Sequence, residues 1–477
     1  MIAVSIPATT RVADRVTADI ARWADERQLA PAAMAASSLG LAVIAAAWFT
    51  ESSPGPQVLA LAFLVASVLA AAAARAMTGH RVTVASEWSR AACALLGELG
   101  IYAALAGAVS LAGAAAGSTA NGLGGPLGPS LQGTMIGHAG GLGASGAWAL
   151  AVVAAVALTL NHTAALCAAG PAARLPRLGA VRLLLAGLAV LLAGPRLGLV
   201  VVLVLALLGL LVTLLRPGGG ATGVAGYRGD GPVSAWIGGL VAGRLPPLAP
   251  LLVGLLVTCM LAALGLRNLP GILVLTPAEA MLLAALGSSH LHDGPGDWRV
   301  PAFLQAGEYV FLAAAGYAGH TPGPVTFGLV AAVGLRHLDM AYRARQRVPL
   351  SWFMDRRGQR LPRADWRGFG WEGRMILIGI ALLGSLTTPV FVAMGLYLAG
   401  LEAADYIASW RIASLVAPRP GPRAAAVTAA GPAGADVAGV GLVPAAGPEL
   451  PPGASLVAGG PDPAALAAEA ESDHNVG

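Results

Sequence analysis

The chain has 477 residues, 56% of them hydrophobic and only 11% charged, with a mean hydropathy of +0.72 and a formal net charge of +5. These values exclude an ordinary water-soluble domain and leave an all-α integral membrane protein as the class to expect. All 29 basic residues are Arg, scattered through short polar segments beside apolar runs, so the positive balance points to membrane topology and not to nucleic acid. Cys93, Cys167 and Cys259 each fall inside an apolar run and read as small core residues rather than a disulfide framework or metal cluster.

The first thirty residues carry no cleavable signal pattern. Residues 11–27 place Val12, Val16, Ile20 and Trp23 on one helical face and charged groups on the other, with Thr10 as a candidate cap. This pattern predicts an amphipathic helix lying on the membrane surface, the alternative being a short solvated helix. Twelve apolar segments follow, near 31–50, 57–74, 91–112, 146–168, 178–194, 197–215, 247–266, 270–287, 301–319, 322–341, 374–387 and 389–410. Several are short for a membrane span, and the last two could form a re-entrant pair broken at Thr387-Thr388-Pro389, so counts of ten or eleven stay open. With the N-terminus inside, nearly every Arg falls on the cytoplasmic face and only Arg196 and Arg267 on the other, which predicts twelve spans and both termini cytoplasmic in a bacterial membrane.

The segment from about 113 to 143 is Gly-rich and uncharged and reads as flexible covering. Residues 217–246 read as a linker between membrane halves 1–216 and 247–411, and residues 412–477 as a disordered tail. A gapless shift of 210 positions aligns His80 with His290, Glu87 with Asp297, Trp88 with Trp298, and Gly97-Glu98 with Gly307-Glu308. Asn161-His162 similarly echoes Arg336-His337, and the interval from Arg182 to Pro195 echoes that from Arg374 to Pro389. Two parallel six-helix repeats are the expectation, against the alternative that two apolar halves align by composition alone.

The polar stretch Gly287–Tyr309 holds His290, His292, Asp293, Asp297 and Glu308 between two apolar segments, a costly placement for ionisable groups. The residue types suggest a site in which Asp293, Asp297 and Glu308 hold Mg2+ or Mn2+. Arg336, Arg343 and Arg374 would bind phosphate or a headgroup, and His290, His337 and Glu308 would supply acid–base chemistry. The competing reading makes Glu308 a buried carboxyl satisfied by a neighbouring helix and pairs Asp339 with Arg336 or Arg343 along a helix end. The Arg-rich segment 343–374, with Trp352, Trp366 and Trp371, suits a contact with anionic lipid headgroups.

The first half, with its surface helix, Leu29-Ala30-Pro31 and the spacing of Trp88, Glu98 and Tyr102, resembles the CDP-alcohol phosphatidyltransferases. That resemblance implies a six-span fold that joins a CDP-activated lipid to an alcohol through metal-bound aspartates. The family's aspartate motif is lost: in the register set by Trp88 its acidic positions hold Ala72, Arg90 and Ala94, and Met77 stands for its Arg. Without those carboxylates a divalent ion has no oxygen cage, so a degenerate catalytic centre is expected in this half. The second half resembles a family of unknown function that follows such domains in actinobacterial proteins. The resemblance rests on Gly287–Gly294, Asp297-Trp298, Gly307-Glu308-Tyr309, His337 with Asp339, Tyr342-Arg343 and Gly370–Arg374. Together these imply a divergent, catalytically impaired protein that acts on or binds CDP-lipid or phospholipid headgroups at the cytoplasmic leaflet and self-associates as a homodimer. A non-catalytic scaffold for a partner synthase is one alternative. The other is a small-molecule transporter, for which Thr276-Pro277 with Glu279 would be the broken helix.

Overall fold

The computed structural model describes residues 8–51, 53–77, 84–122, 144–167, 175–215, 248–267, 269–286, 297–346 and 367–416, with isolated positions between 233 and 240; side chains are described over a slightly narrower set. Among these residues the chain is all α, with thirteen α-helices and no strand. Helices α1 (Ala8–Glu26), α2 (Pro31–Phe49), α3 (Pro54–Met77), α4 (Val84–Gly122), α5 (Ala144–Cys167), α6 (Leu175–Ala193) and α7 (Pro195–Leu214) form the first part. Helices α8 (Leu248–Leu266), α9 (Thr276–Leu286), α10 (Val300–Ala318), α11 (Gly323–Gln346), α12 (Gly370–Leu383) and α13 (Thr387–Val416) form the second. Short 3-10 turns at Pro270–Leu275 and Asp297–Arg299 lead into α9 and α10. Helix is the form such apolar runs must take in lipid, because it satisfies every backbone N–H and C=O within the segment. Proline opens α2 and α7 at positions where its missing N–H costs nothing.

Among the described residues seven helices are long and apolar enough to cross a membrane: α2, α3, α5, α7, α8, and the stretches Ser86–Ala112 of α4 and Thr387–Ile407 of α13. Gly179–Ala193 and Pro270–Ala284 are shorter apolar helices. Their outer faces carry Leu192, Leu256 and Leu396, each at least 70% exposed, as a lipid-facing surface should. Each of the twelve apolar segments expected from the sequence coincides with a helix. Most ends shift by a few residues, as where α13 runs on to Val416 and α9 starts only at Thr276, and two differences bear on the reading. Helix α1 begins at Ala8, so Thr10 lies inside it instead of capping it, and α4 runs on to Gly122, where the Ala-rich sequence after Ala112 favours continued helix over the expected loop.

Helix α1 packs on α3 through Ala21 and Ala24, which meet Ala70, Ala73, Ala74 and Met77, while Val16 and Trp23 face outward. In the first part α2 packs on α3 and α4, α4 on α5, α5 on α7, α6 on α7, and α3 on α6. In the second α8 packs on α9 and α10, α10 on α11, α11 on α13, α12 on α13, and α9 on α12. The two parts meet through α5 on α11, flanked by α5 on α10 and α4 on α11. Small residues permit this approach: a Cβ on Gly334 of α11 would overlap the Thr159 methyl of α5. Trp88 of α4 stacks on Tyr406 of α13 at 4.8 Å between ring centroids, and Tyr342 of α11 donates its hydroxyl to Glu87 of α4. A continuous apolar core runs from Ala45 in α2 to Leu398 in α13.

Candidate functional site

Among the described residues, buried ion pairs tie helices that are not consecutive in the chain. In the first part Glu98 of α4 and Arg182 of α6 are 5% and 4% exposed. Arg182 donates its Nε to Glu98 Oε2 at 3.1 Å and its Nη2 to the same oxygen, to which the Tyr102 hydroxyl also donates at 3.4 Å. Gly179, one turn before Arg182, makes room for the carboxylate, because a Cβ there would stand 2.8 Å from Glu98 Oε1. A neutral tie lies nearby: Thr213 of α7 donates at 2.7 Å to the Asn161 side-chain carbonyl on α5. Next to Asn161, His162 keeps its Nδ1 2.9 Å from the Leu158 carbonyl of its own helix.

The second part repeats the ion pair and elaborates it. Arg374 of α12 donates Nε to Glu308 Oε1 at 2.6 Å and Nη2 to Oε2 at 3.0 Å, a bidentate fork on a carboxylate of α10 that is 1% exposed. His337 of α11 brings its Nε2 within 2.8 Å of Glu308 Oε2. The third arm of the guanidinium, Nη1, donates at 2.8 Å to the Gly368 carbonyl. That carbonyl is aimed by a tight turn in which Phe369 and Gly370 both take left-handed backbone angles, φ 64° and 62°. The Tyr309 ring sets its edge against His337 at 5.8 Å between centroids.

One residue from His337, Arg336 faces a second acidic group. Its Nη1 lies 2.9 Å from Glu402 and 3.2 Å from Asp405, both on α13, and 3.8 Å from Asp339. Arg367 reaches Asp405 at 3.2 Å, and Arg343 gives its Nε to both Asp339 oxygens at 2.8 and 2.7 Å. Asp339 is fully buried, Arg336 nearly so and Arg343 only 12% exposed, while Arg367 reaches the group from a half-exposed position, so the three carboxylates face two poorly solvated guanidinium groups and one solvated one. Among the described residues the Nη atoms of Arg343 make no hydrogen bond, unlike those of Arg336 and Arg374.

The structure therefore joins Glu308, His337 and Arg374 in one constellation and places Arg336 and Arg343 in the adjoining one. Glu308 is the buried carboxyl of the competing reading, with Arg374 and His337 on its two oxygens, and Asp339 is paired along its own helix. His290, His292 and Asp293 lie outside the described residues, as do the Asp297 side chain and most of the Arg343–Arg367 segment. Among the described residues no three His, Cys, Asp or Glu side chains are grouped to hold a metal ion. Sequence reasoning missed Glu402 and Asp405, whose place on an otherwise apolar helix was the available signal. It also missed the strained Gly368–Gly370 turn, for which the sequence carries no mark beyond the glycines themselves.

Residues 220–431 match a family described as Family of unknown function (DUF5941). The second part of the chain is thus similar to proteins of that family, as its motifs suggested. No match is found among the curated proteins or the solved structures.

Proposed function

We propose that the protein is a duplicated, divergent relative of the CDP-alcohol phosphatidyltransferases that binds phospholipid headgroups at the cytoplasmic leaflet. The duplication is supported by the helix pairings, since each contact named above among α2–α7 has its counterpart among α8–α13. The polar ties follow the same rule. Glu98–Arg182 corresponds to Glu308–Arg374, and Asn161–Thr213 corresponds to Arg336 with Asp405; Arg182 and Thr213 both reach their partners by one shift of 192 positions. On this reading α2–α13 are twelve spans in two sets of six, with both termini in the bacterial cytoplasm as the Arg distribution requires.

Headgroup binding rests on one observation above all: Arg343 is fixed through its Nε by Asp339, while among the described residues its Nη fork, in the last turn of α11, meets no acceptor. A guanidinium held in this way loses little conformational freedom on meeting a phosphate, which it can take with two parallel hydrogen bonds. Mg2+ or Mn2+ on Asp293 and Asp297 would complete a transferase site. A non-catalytic scaffold is the second reading, and it is favoured by the closed set of bonds around Glu308.

The test uses the purified protein in nanodiscs. CDP-diacylglycerol and phosphatidylglycerol should bind wild type and bind Arg343→Gln several-fold more weakly, with phosphatidylcholine unaffected. Equal binding of all three lipids by both proteins would overturn the headgroup reading. Adding Mn2+ and a panel of alcohols then separates enzyme from scaffold, because only a transferase releases CMP.

A further inference from the structure

The outer face of α12 and α13 ends in an open cation. Arg367 has 47% of its side chain exposed, with its Nη1 3.2 Å from Asp405. Asp405 lies two residues before the end of the apolar stretch Thr387–Ile407, which puts the guanidinium at the edge of the apolar layer. From Arg367 the chain enters α12 through the left-handed turn at Phe369 and Gly370. The exposed Phe369 ring lies 5.5 Å from that of Tyr397 on α13. Tyr397, 45% exposed, donates its hydroxyl at 2.8 Å to the Arg367 carbonyl, so its ring is fixed without being covered. Leu377, Ile380 and Leu396 continue the exposed apolar surface along both helices. Tyr397, Gly400, Ala404 and Ile407 share one stripe, and a Cβ on Gly400 would meet nothing within 4 Å, so open space lies in front of this part of α13.

The chain contains its own comparison. The 192-position shift carries Tyr397, Gly400, Ala403 and Ala404 onto Leu205, Leu208, Leu211 and Val212 of α7, and Asp405 onto Thr213. Leu208, Leu211 and Val212 are exposed, and they form the plain apolar wall that hydrocarbon chains ask of a membrane helix. In α13 the same positions carry a ring with a hydroxyl, three small residues and the carboxylate that anchors Arg367. A generic contact with lipid tails needs none of these changes.

We propose that this face seats one anionic phospholipid of the cytoplasmic leaflet, with its phosphate on Arg367, its glycerol region over Gly400 and Ala404, and an acyl chain along Phe369, Tyr397 and Ile380. Charge favours such an occupant. Asp405 gives its other oxygen to Arg336 at 3.2 Å, so one carboxylate is divided between two guanidinium groups, and the exposed one keeps positive charge for a phosphate. An aromatic ring with one polar end suits the boundary between headgroups and tails. A free phosphate would leave the apolar part of the seat unused, whereas a phospholipid matches both ends of it. The inference deepens the headgroup reading and rests on it for the choice of leaflet; the seat itself is separate from Arg343.

The experiment is photo-crosslinking of the full chain in nanodiscs with phosphatidylglycerol or phosphatidylcholine, each carrying the same diazirine in an acyl chain, and mass spectrometry to locate the adducts. Adducts between Phe369 and Ala404 should form several-fold more with phosphatidylglycerol, while those on Leu208 and Leu211 of α7 should form equally with both lipids. Arg367→Gln should abolish the excess, and Gly400→Leu, which installs the residue of the other half without touching a charge, should reduce it several-fold. Equal labelling of α12 and α13 by the two lipids in the wild type would overturn the proposal whether or not either variant folds. So would an excess that survives Arg367→Gln. Because adducts are read by their position on α12 and α13, the result is independent of whether Arg343 binds a headgroup.

Discussion

Replacing Glu98 by Ala isolates the energetics on which the packing of the first part depends. The substitution leaves the Arg182 guanidinium, 4% exposed, without its carboxylate, and removes the acceptor of the Tyr102 hydroxyl at the same time. Breaking a buried pair by deleting one partner costs roughly 3–5 kcal/mol, because the surviving charge is left desolvated. At about 2 °C per kcal/mol for a large chain, the melting temperature in detergent should fall by roughly 6–10 °C. Glu98→Leu and Arg182→Met, each alone, should cost a similar amount. The double variant Glu98→Leu with Arg182→Met should recover most of the loss, since two apolar residues of similar volume remove both charges from the interior. The assay is a double-mutant cycle on thermal unfolding followed by tryptophan fluorescence. Single substitutions that each cost less than about 1 kcal/mol, or a double variant that is merely additive, would refute the claim that Glu98 and Arg182 are paired and desolvated.

Three further outcomes follow from named contacts. Gly179→Ala should destabilise by about 1–3 kcal/mol in the same assay, because its Cβ would stand 2.8 Å from the Glu98 carboxylate and must displace it. At the α12 entrance Gly370→Ala should cost about 1–2 kcal/mol, since its φ of 62° lies in the left-handed region, whereas Phe369→Gly should relieve strain at φ 64° and give back part of that amount. Trp88→Leu should remove the stack on Tyr406, worth about 0.5–1.5 kcal/mol, and should raise protease cleavage of the first part relative to the second.

Hydropathy located the helices closely: the expected 31–50 and 247–266 became Pro31–Phe49 and Leu248–Leu266. Length and apolarity are properties of a local stretch, so they can be read without knowing what the stretch will touch. Partner choice cannot. The sequence marked Glu308 for metal and Arg374 for phosphate, and the structure turns them on each other across 66 positions of chain. The reason is electrostatic, because in an apolar interior a carboxylate and a guanidinium each find their least costly neighbour in the other. The 210-position shift already held half of this arrangement, since it aligned Glu98 with Glu308. Only the fold showed that the next pair of aligned residues, Arg182 and Arg374, closes both ties. Glu402 and Asp405 escaped notice for the opposite reason: they stand alone in their segment, and their meaning comes from Arg336 on another helix.

The close crossing of α5 and α11 at Thr159 and Gly334 also bears on how the molecule could diversify. In an assembly of two identical chains, any side chain near the axis is present twice, and a change that helps one copy is imposed on the other. Here the methyl of Thr159 occupies the room that a missing Cβ leaves on the opposite helix, a complementarity of unlike residues that identical copies could not offer. Because both helices belong to one polypeptide, such lopsided fitting is available along the whole crossing.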